Sequence, residues 1–252
     1  MSTEEETLEN AFKELGDISG LTVFDAGPEG IASKYIAERI GDGRVIGVNI
    51  WLGAYERTRK KVGDELMGKI VFIKDDMRKM DYLKDNFFDL IVSYETLETV
   101  EGMTPDAILP ILSQLYRILK YDKWFLAIEH PSLLEVVPIN KAQELNLKFL
   151  KIMYCLWGNE WGKGTYRPSQ FSEILRSLGF EDIHWKTVSQ GQRITDDDVT
   201  EMFQGIRNLA NKRINEGKVK ESVLREIDDI FREGEKSGFC EPPHYAIYAR
   251  KP

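Results

Sequence analysis

The chain has 252 residues, 42% of them hydrophobic and 30% charged, a balance that marks a globular protein rather than a disordered one. No apolar run approaches the ~20 residues that a membrane-spanning helix needs, and a net charge of -8 argues against a broad nucleic-acid footprint. Two cysteines, Cys155 and Cys240, are too few for a disulfide framework or a thiolate metal site. The acidic opening MSTEEETLEN has neither the positive nor the apolar segment of an export signal, so the expected compartment is the cytoplasm.

Residues 21–50, LTVFDAGPEGIASKYIAERIGDGRVIGVNI, read as strand, glycine turn, helix and second strand, the opening βαβ unit of a nucleotide-type binding fold. Thr22 to Asp25 is a short β-branched and aromatic run that stops at a turn built on Gly27, Pro28 and Gly30. Ile31, Tyr35, Ile36 and Ile40 then recur with helical spacing, and Val45 to Ile50 starts the next strand. Glycines let the backbone of such a turn approach a ligand, and the free N–H groups that open the helix favour an anionic group. A ligand site is therefore expected beside Gly27 and Gly30.

Further strands are expected at Lys69 to Ile73, Phe88 to Ser93 and Trp124 to Glu129, each an apolar run of the kind buried on both faces of a parallel sheet. Between the last two, Asp106 to Lys120 places Ile108, Ile111, Leu112, Leu115, Ile118 and Leu119 on one helical face, with Pro110 tolerable in a first turn or as a kink. This alternation predicts an α/β fold, a mostly parallel sheet with helices on both sides.

Residues 133–165 depart from it. They are rich in aromatic and long apolar side chains, including Phe149, Met153, Tyr154, Trp157 and Trp161, and read either as a cover over the carboxyl edge of the sheet or as an extra packing helix. A helix from Ser169 to Leu178 and a strand from Ile183 to Val188 follow. Two amphipathic stripes come next, Val199, Met202, Phe203, Ile206, Leu209 and Ala210, then Val219, Val223, Leu224, Ile227, Ile230 and Phe231, which should pair as helices. The alternating segment Tyr245 to Arg250 is the seventh strand. The expected organisation is an α/β domain over residues 1–190 and 239–252, with 133–165 a covering insertion and 191–238 a helical insertion between the last two strands.

At this point the residues resemble the class I S-adenosylmethionine-dependent methyltransferases. VFDAGPEG resembles the family's first motif and VIGVNI its second strand, where the ribose is held. FIKDDM is similar to the third-strand motif beside the adenine, and FFDLIVSYETLETV to the fourth-strand motif. LKYDKWFLAIEHP and YRPSQFSEILRSLGFEDI match the approach to strand five and the late helix. The resemblance covers roughly residues 20–130 and 165–190 and implies a Rossmann-like, mostly parallel seven-stranded sheet with S-adenosylmethionine as cofactor.

The resemblance implies that Asp25 supports the loop or the methionyl ammonium, that Gly27 and Gly30 admit the methionine portion, and that Asn49 holds the ribose. It places Ile50, Asp76 and Met77 around the adenine and Glu95 near the sulfonium. The loop Asp25-Ala-Gly27-Pro-Glu-Gly30 is one residue tighter than the family's usual Asp-x-Gly-x-Gly-x-Gly, and Asn49 stands where an acid is usual.

Methyl transfer from a sulfonium is an in-line displacement that gains most from positioning, and a base is needed only for an acceptor that starts protonated. Glu95, Glu129, His130 and Tyr166 are the candidates near the strand ends, while Glu98 and Glu101 read as solvated carboxylates. His130, His184 and His244 have no close spacing along the chain, which gives metal ligation no support. The aromatic cover favours a small-molecule acceptor over nucleic acid or membrane, and a homo-oligomer stays open. Two alternatives remain: a catalytically silent methyltransferase-like binding module, and a nicotinamide dehydrogenase using the Tyr116-x-x-x-Lys120 pair.

Overall fold

A computed structural model describes residues 3–51, 53–104, 106–158, 162, 165–191 and 193–252. Helix α1 (Thr3–Phe12) precedes β1 (Thr22–Ala26), α2 (Ile31–Arg39), β2 (Arg44–Asn49), α3 (Gly53–Val62), α4 (Asp64–Met67) and β3 (Ile70–Lys74). A 3-10 turn at Met77–Lys79 leads to β4 (Phe88–Tyr94), α5 (Leu97–Met103), α6 (Ile108–Ile118) and β5 (Leu119–Glu129). Then come α7 (Lys141–Trp157), α8 (Pro168–Ser177), β6 (Glu181–Ser189), α9 (Asp196–Asn215), α10 (Ser222–Ser237) and β7 (His244–Lys251).

The strands form one seven-stranded sheet in the order β3-β2-β1-β4-β5-β7-β6. Every pairing from β3 to β5 is parallel, and β7 runs antiparallel to both of its neighbours. The strands are near-continuous apolar runs because both faces are covered. Phe24, Phe125 and Ala127 point to a core shared with Ile111, Leu115, Phe171 and Leu175 of α6 and α8. Val23, Leu126 and Ile128 point to the opposite core, with Leu8, Ile36 and Tyr248. A third cluster, Leu145, Phe149, Leu156, Ile206, Ala210, Ile227 and Phe239, ties α7 to α9 and α10 away from the sheet.

Two expected boundaries move. The helix expected over 106–120 spans Ile108–Ile118, which puts Pro110 in the first turn, where its missing N–H has no intrahelical partner to lose. Strand β5 starts at Leu119 rather than Trp124. Its charged opening Lys120–Lys123 bulges out between the Phe88–Leu119 and Leu90–Trp124 pairs with β4, and Asp122 takes a φ of 57°.

Candidate active site

Chain order in the sheet reverses between β1 and β4, and ligands bind in the crevice that such a switch opens at the carboxyl ends of the strands. A cleft of about 590 Å3 lies there, lined by Asp25, Gly27, Asn49, Ile50, Asp76, Met77 and Glu95 among others. Of the residues expected to hold a cofactor, Gly30 alone is absent from the lining; it caps the start of α2 at a φ of 111°. Trp157, at the end of α7, also reaches the cleft. Trp161 falls outside the described residues.

The tight turn after β1 is held by packing. Gly27 has a φ of 75°, and a Cβ there would fall 2.3 Å from Thr96 Cγ2. That glycine is required by the close approach of Thr96 as much as by any ligand. Pro28 fits because Gly47 in β2 leaves it room: a Cβ on Gly47 would sit 2.5 Å from Pro28 Cγ. Glu29 pairs with Arg57, 3.0 Å away, the Arg57 guanidinium lies 4.5 Å over the Trp51 ring, and all three line the cleft. Asn49 Nδ2 donates to the Pro28 carbonyl at 3.3 Å, and its Oδ1 accepts from the Trp51 N–H at 2.9 Å. Asn49 therefore braces the loop from below, a job that an acidic residue could not share because a carboxylate donates nothing.

Asp25 is 2% exposed, and the Ser33 hydroxyl donates to its Oδ2 at 2.5 Å. Burial pushes its carboxyl up to about 6 against that hydrogen bond. On the far wall Asp76 accepts from the Arg78 backbone and pairs with the Arg78 guanidinium at 2.6 Å, which holds its carboxyl below the usual range. Ile50, 64% exposed, presents an open apolar side chain on the same rim.

Glu95, just past β4, adopts a φ of 50°, a strained conformation for a non-glycine residue. Its Oε1 accepts from His244 Nε2 at 2.7 Å, and the Tyr94 hydroxyl also donates to the carboxylate. Burial raises its carboxyl, but these donors win and keep it ionised. His244 is fully buried, which lowers its pKa, so the ring that donates to Glu95 is neutral. The His130 ring lies 4.1 Å from that of His244, centroid to centroid.

His130 and Tyr166 do not line the cleft. They border a separate small cavity with Glu98, Glu129 and Tyr245, and Tyr166 stacks on Phe171. The solvated reading of Glu98 and Glu101 is wrong: they are 9% and 6% exposed. Glu101 accepts from the N–H groups of Asp106 and Ile108 at the start of α6, and Glu98 Oε2 accepts from the His130 N–H at 2.9 Å. Glu129 accepts from the Ser93 hydroxyl and from the N–H groups of Leu97 and Glu98, so it caps α5. Burial and the Glu98 charge push Glu129 up to about 8.

The sequence reading had no means of finding Thr96, Arg57 or the partnership of His244 with Glu95. The last joins the end of β4 to the start of β7, a proximity that only the sheet order creates.

The family model of the methyltransferase domain matches residues 24–127. Phosphoethanolamine N-methyltransferase 2 from Haemonchus contortus, solved with phosphomonomethylethanolamine and S-adenosylhomocysteine, superposes with a TM-score of 0.59 at 16% identity, over 98% of this chain and 52% of its own. The chain thus spans about half the length of that enzyme. A methyltransferase dependent on S-adenosylmethionine from Archaeoglobus fulgidus gives 0.55 at 19% identity over 98% of this chain and 94% of its own. The cyclase SpnF gives 0.61 at 17% identity over 99% of this chain and 81% of its own. No curated protein matches the chain in sequence. The resemblance read from the sequence is upheld over residues 24–127, which match the methyltransferase domain model, and the whole chain shares the Rossmann-like fold of these solved structures.

Proposed function

We propose that this chain is a methyltransferase that transfers the methyl group of S-adenosylmethionine to a small-molecule acceptor in a covered pocket. The observation that carries the reading is the cleft itself, which gathers Asp25, the Gly27 turn, Asn49, Ile50, Met77 and Glu95 at the switch point of a methyltransferase fold.

The residues suit the cofactor. Asp25 is a buried carboxylate with Ser33 as its one recorded donor, a counter-ion for a methionyl ammonium. The N–H groups that open α2 beside Ile31 and Ala32 suit the carboxylate, and Ile50 with Met77 provides apolar surface for the adenine. When bound, the cofactor supplies an electrophilic methyl group. The chain's contribution is to orient it, to keep Glu95 ionised at the cleft wall, where it can accept a proton from the acceptor, and to exclude water beneath Trp157. Residues 133–165 and 191–238 form the cover in this reading, and His130 and Tyr166 act from behind the wall rather than on the acceptor. The protein works in the cytoplasm; no helix among the described residues is long and apolar enough to cross a membrane.

The dehydrogenase alternative is disfavoured by geometry. Lys120 pairs with Asp89 at the amino ends of β4 and β5, and Tyr116 packs edge-on against Phe180, both at the end of the sheet opposite the cleft.

Titration calorimetry with S-adenosylmethionine, S-adenosylhomocysteine and NADH tests the reading. Binding of the first two and not of NADH is expected. Binding of NADH alone would overturn it, and binding of the S-adenosyl compounds without turnover on a panel of small acceptors would favour the silent module.

A further inference from the structure

Three strand ends bring a carboxylate and two imidazoles together. One ligand atom each from Glu95 after β4, His130 after β5 and His244 at the start of β7 lies within 4.8 Å of the other two. Two imidazoles and one carboxylate form a donor set that suits divalent zinc, manganese or iron.

The hydrogen bonding around the rings has the pattern of metal-ligating histidines. His130 Nδ1 lies 3.3 Å from the Pro243 carbonyl oxygen. That oxygen can only accept, so Nδ1 carries the proton and Nε2 is left with its lone pair, the way a backbone carbonyl orients a ligating imidazole. The nearest charged partner recorded for Nε2 is Glu98 Oε1, 4.0 Å away and beyond hydrogen-bond reach. His244 donates through Nε2 to Glu95, and its buried Nδ1 has no hydrogen-bond partner among the described residues. With no partner fixing Nδ1 as donor or acceptor, this buried ring can carry its proton there and free the Nε2 lone pair toward Glu95 and His130. Close by, Glu241 Oε2 is also buried and has no hydrogen-bond partner among the described residues.

We propose that Glu95, His130 and His244 bind one divalent transition-metal ion at the wall of the cleft. Binding through His244 Nε2 takes the ring to its other neutral tautomer, the proton passing from Nε2 to Nδ1 with no net release, and the three ligands draw in from their present separations to bonds of about 2.0–2.2 Å. Glu95 lines the cleft, so a position left open on the ion faces the space where an acceptor binds. Oxygen-bearing acceptors, alcohols or carboxylates, are the class that such an ion would hold.

The test uses the full chain, stripped with a chelator and free of any S-adenosyl compound, so its outcome does not depend on the methyltransferase reading. Co2+ is titrated by visible absorption and Zn2+ by calorimetry, with metal content measured after gel filtration. One equivalent is expected to bind, and Glu95→Gln and His130→Gln should each weaken binding by about tenfold or more. His244→Gln should do the same; if that buried substitution fails to fold, the other two variants decide. His184→Gln serves as the control, because His184 is half-exposed and pairs with Glu14 on the surface. No stoichiometric binding, or binding that survives His130→Gln and Glu95→Gln or is lost in His184→Gln instead, would overturn the proposal. S-adenosylhomocysteine affinity measured on the same variants reports separately on the cofactor site.

Discussion

Glu95 Oε1 and His244 Nε2 meet at 2.7 Å across the sheet edge, joining a strained residue at the end of β4 to a fully buried ring in β7. Because His244 Nδ1 already lacks a partner, the Glu95 contact is the one hydrogen bond recorded for this ring. Glu95→Ala would leave both nitrogens unsatisfied in the interior and is expected to cost about 2 kcal/mol of stability. Glu95→Gln, which keeps an acceptor oxygen, should cost clearly less. Urea denaturation of the three proteins checks this, and equal losses from both substitutions would show that the bond is not what matters at Glu95.

Asp25 gives the protein a pH signature. Its carboxyl, raised to about 6 by burial, binds a proton more tightly in the folded chain than in the unfolded one. The protonated form is therefore the stabilising one: its contribution is complete below the unfolded value and is lost as pH rises from about 4 to about 6. The difference amounts to about 3 kcal/mol, which Asp25→Asn should remove, flattening the stability profile across that range. If Asp25 is the counter-ion for a methionyl ammonium, affinity for S-adenosylhomocysteine should rise over the same interval in the parent and stay level in Asp25→Asn. Parallel profiles for the two proteins, in denaturation or calorimetry, would count against this assignment.

At Gly27 the structure predicts a folding defect before a binding defect. A side chain there has both a φ of 75° and a contact of 2.3 Å with Thr96 Cγ2 to overcome, so Gly27→Val is expected to lose about 3 kcal/mol or more. Adding Thr96→Ala should restore the packing part and leave the backbone part. A double-mutant cycle by thermal denaturation separates them; additive effects would mean that Thr96 yields freely.

Trp157, at the end of α7, lines the cleft, and on the proposed reading α7, α9 and α10 cover it. Hydrogen exchange with and without S-adenosylhomocysteine should show protection at the turn around Gly27 and also at the end of α7 near Trp157. Protection confined to the turn would make α7, α9 and α10 a surface for another molecule rather than a lid.

The sheet and its helices were legible because their signal is local. The βαβ unit at 21–50, the stripe of α6 and the alternation in β7 are periodic patterns read within single segments. The start of β5 was missed because Lys120 to Lys123 looks like a turn, and a strand through a bulge need not be apolar. Glu98 and Glu101 look solvated on α5, since nothing in one segment reveals that His130 and the first turn of α6 supply their donors. In the site, the cleft residues could be assigned by resemblance, but the meeting of His130 and His244 could not, because it depends on β7 inserting beside β5.

That insertion orders the assembly of the site in time. Asp25, Asn49 and Glu95 stand at the ends of β1, β2 and β4, three strands that are consecutive in the sheet with β1 in the middle, and all precede β5 in the chain. These three strand ends can therefore come together while β6 still lacks β7, its one sheet neighbour among the described residues. His244 comes later in the chain, at the start of β7, carrying the ring that bonds Glu95. The bond to Glu95 is thus withheld until β7 zips between β5 and β6, and on the proposed reading a chain stopped short of that step has a place for the methyl donor but no finished wall to act against.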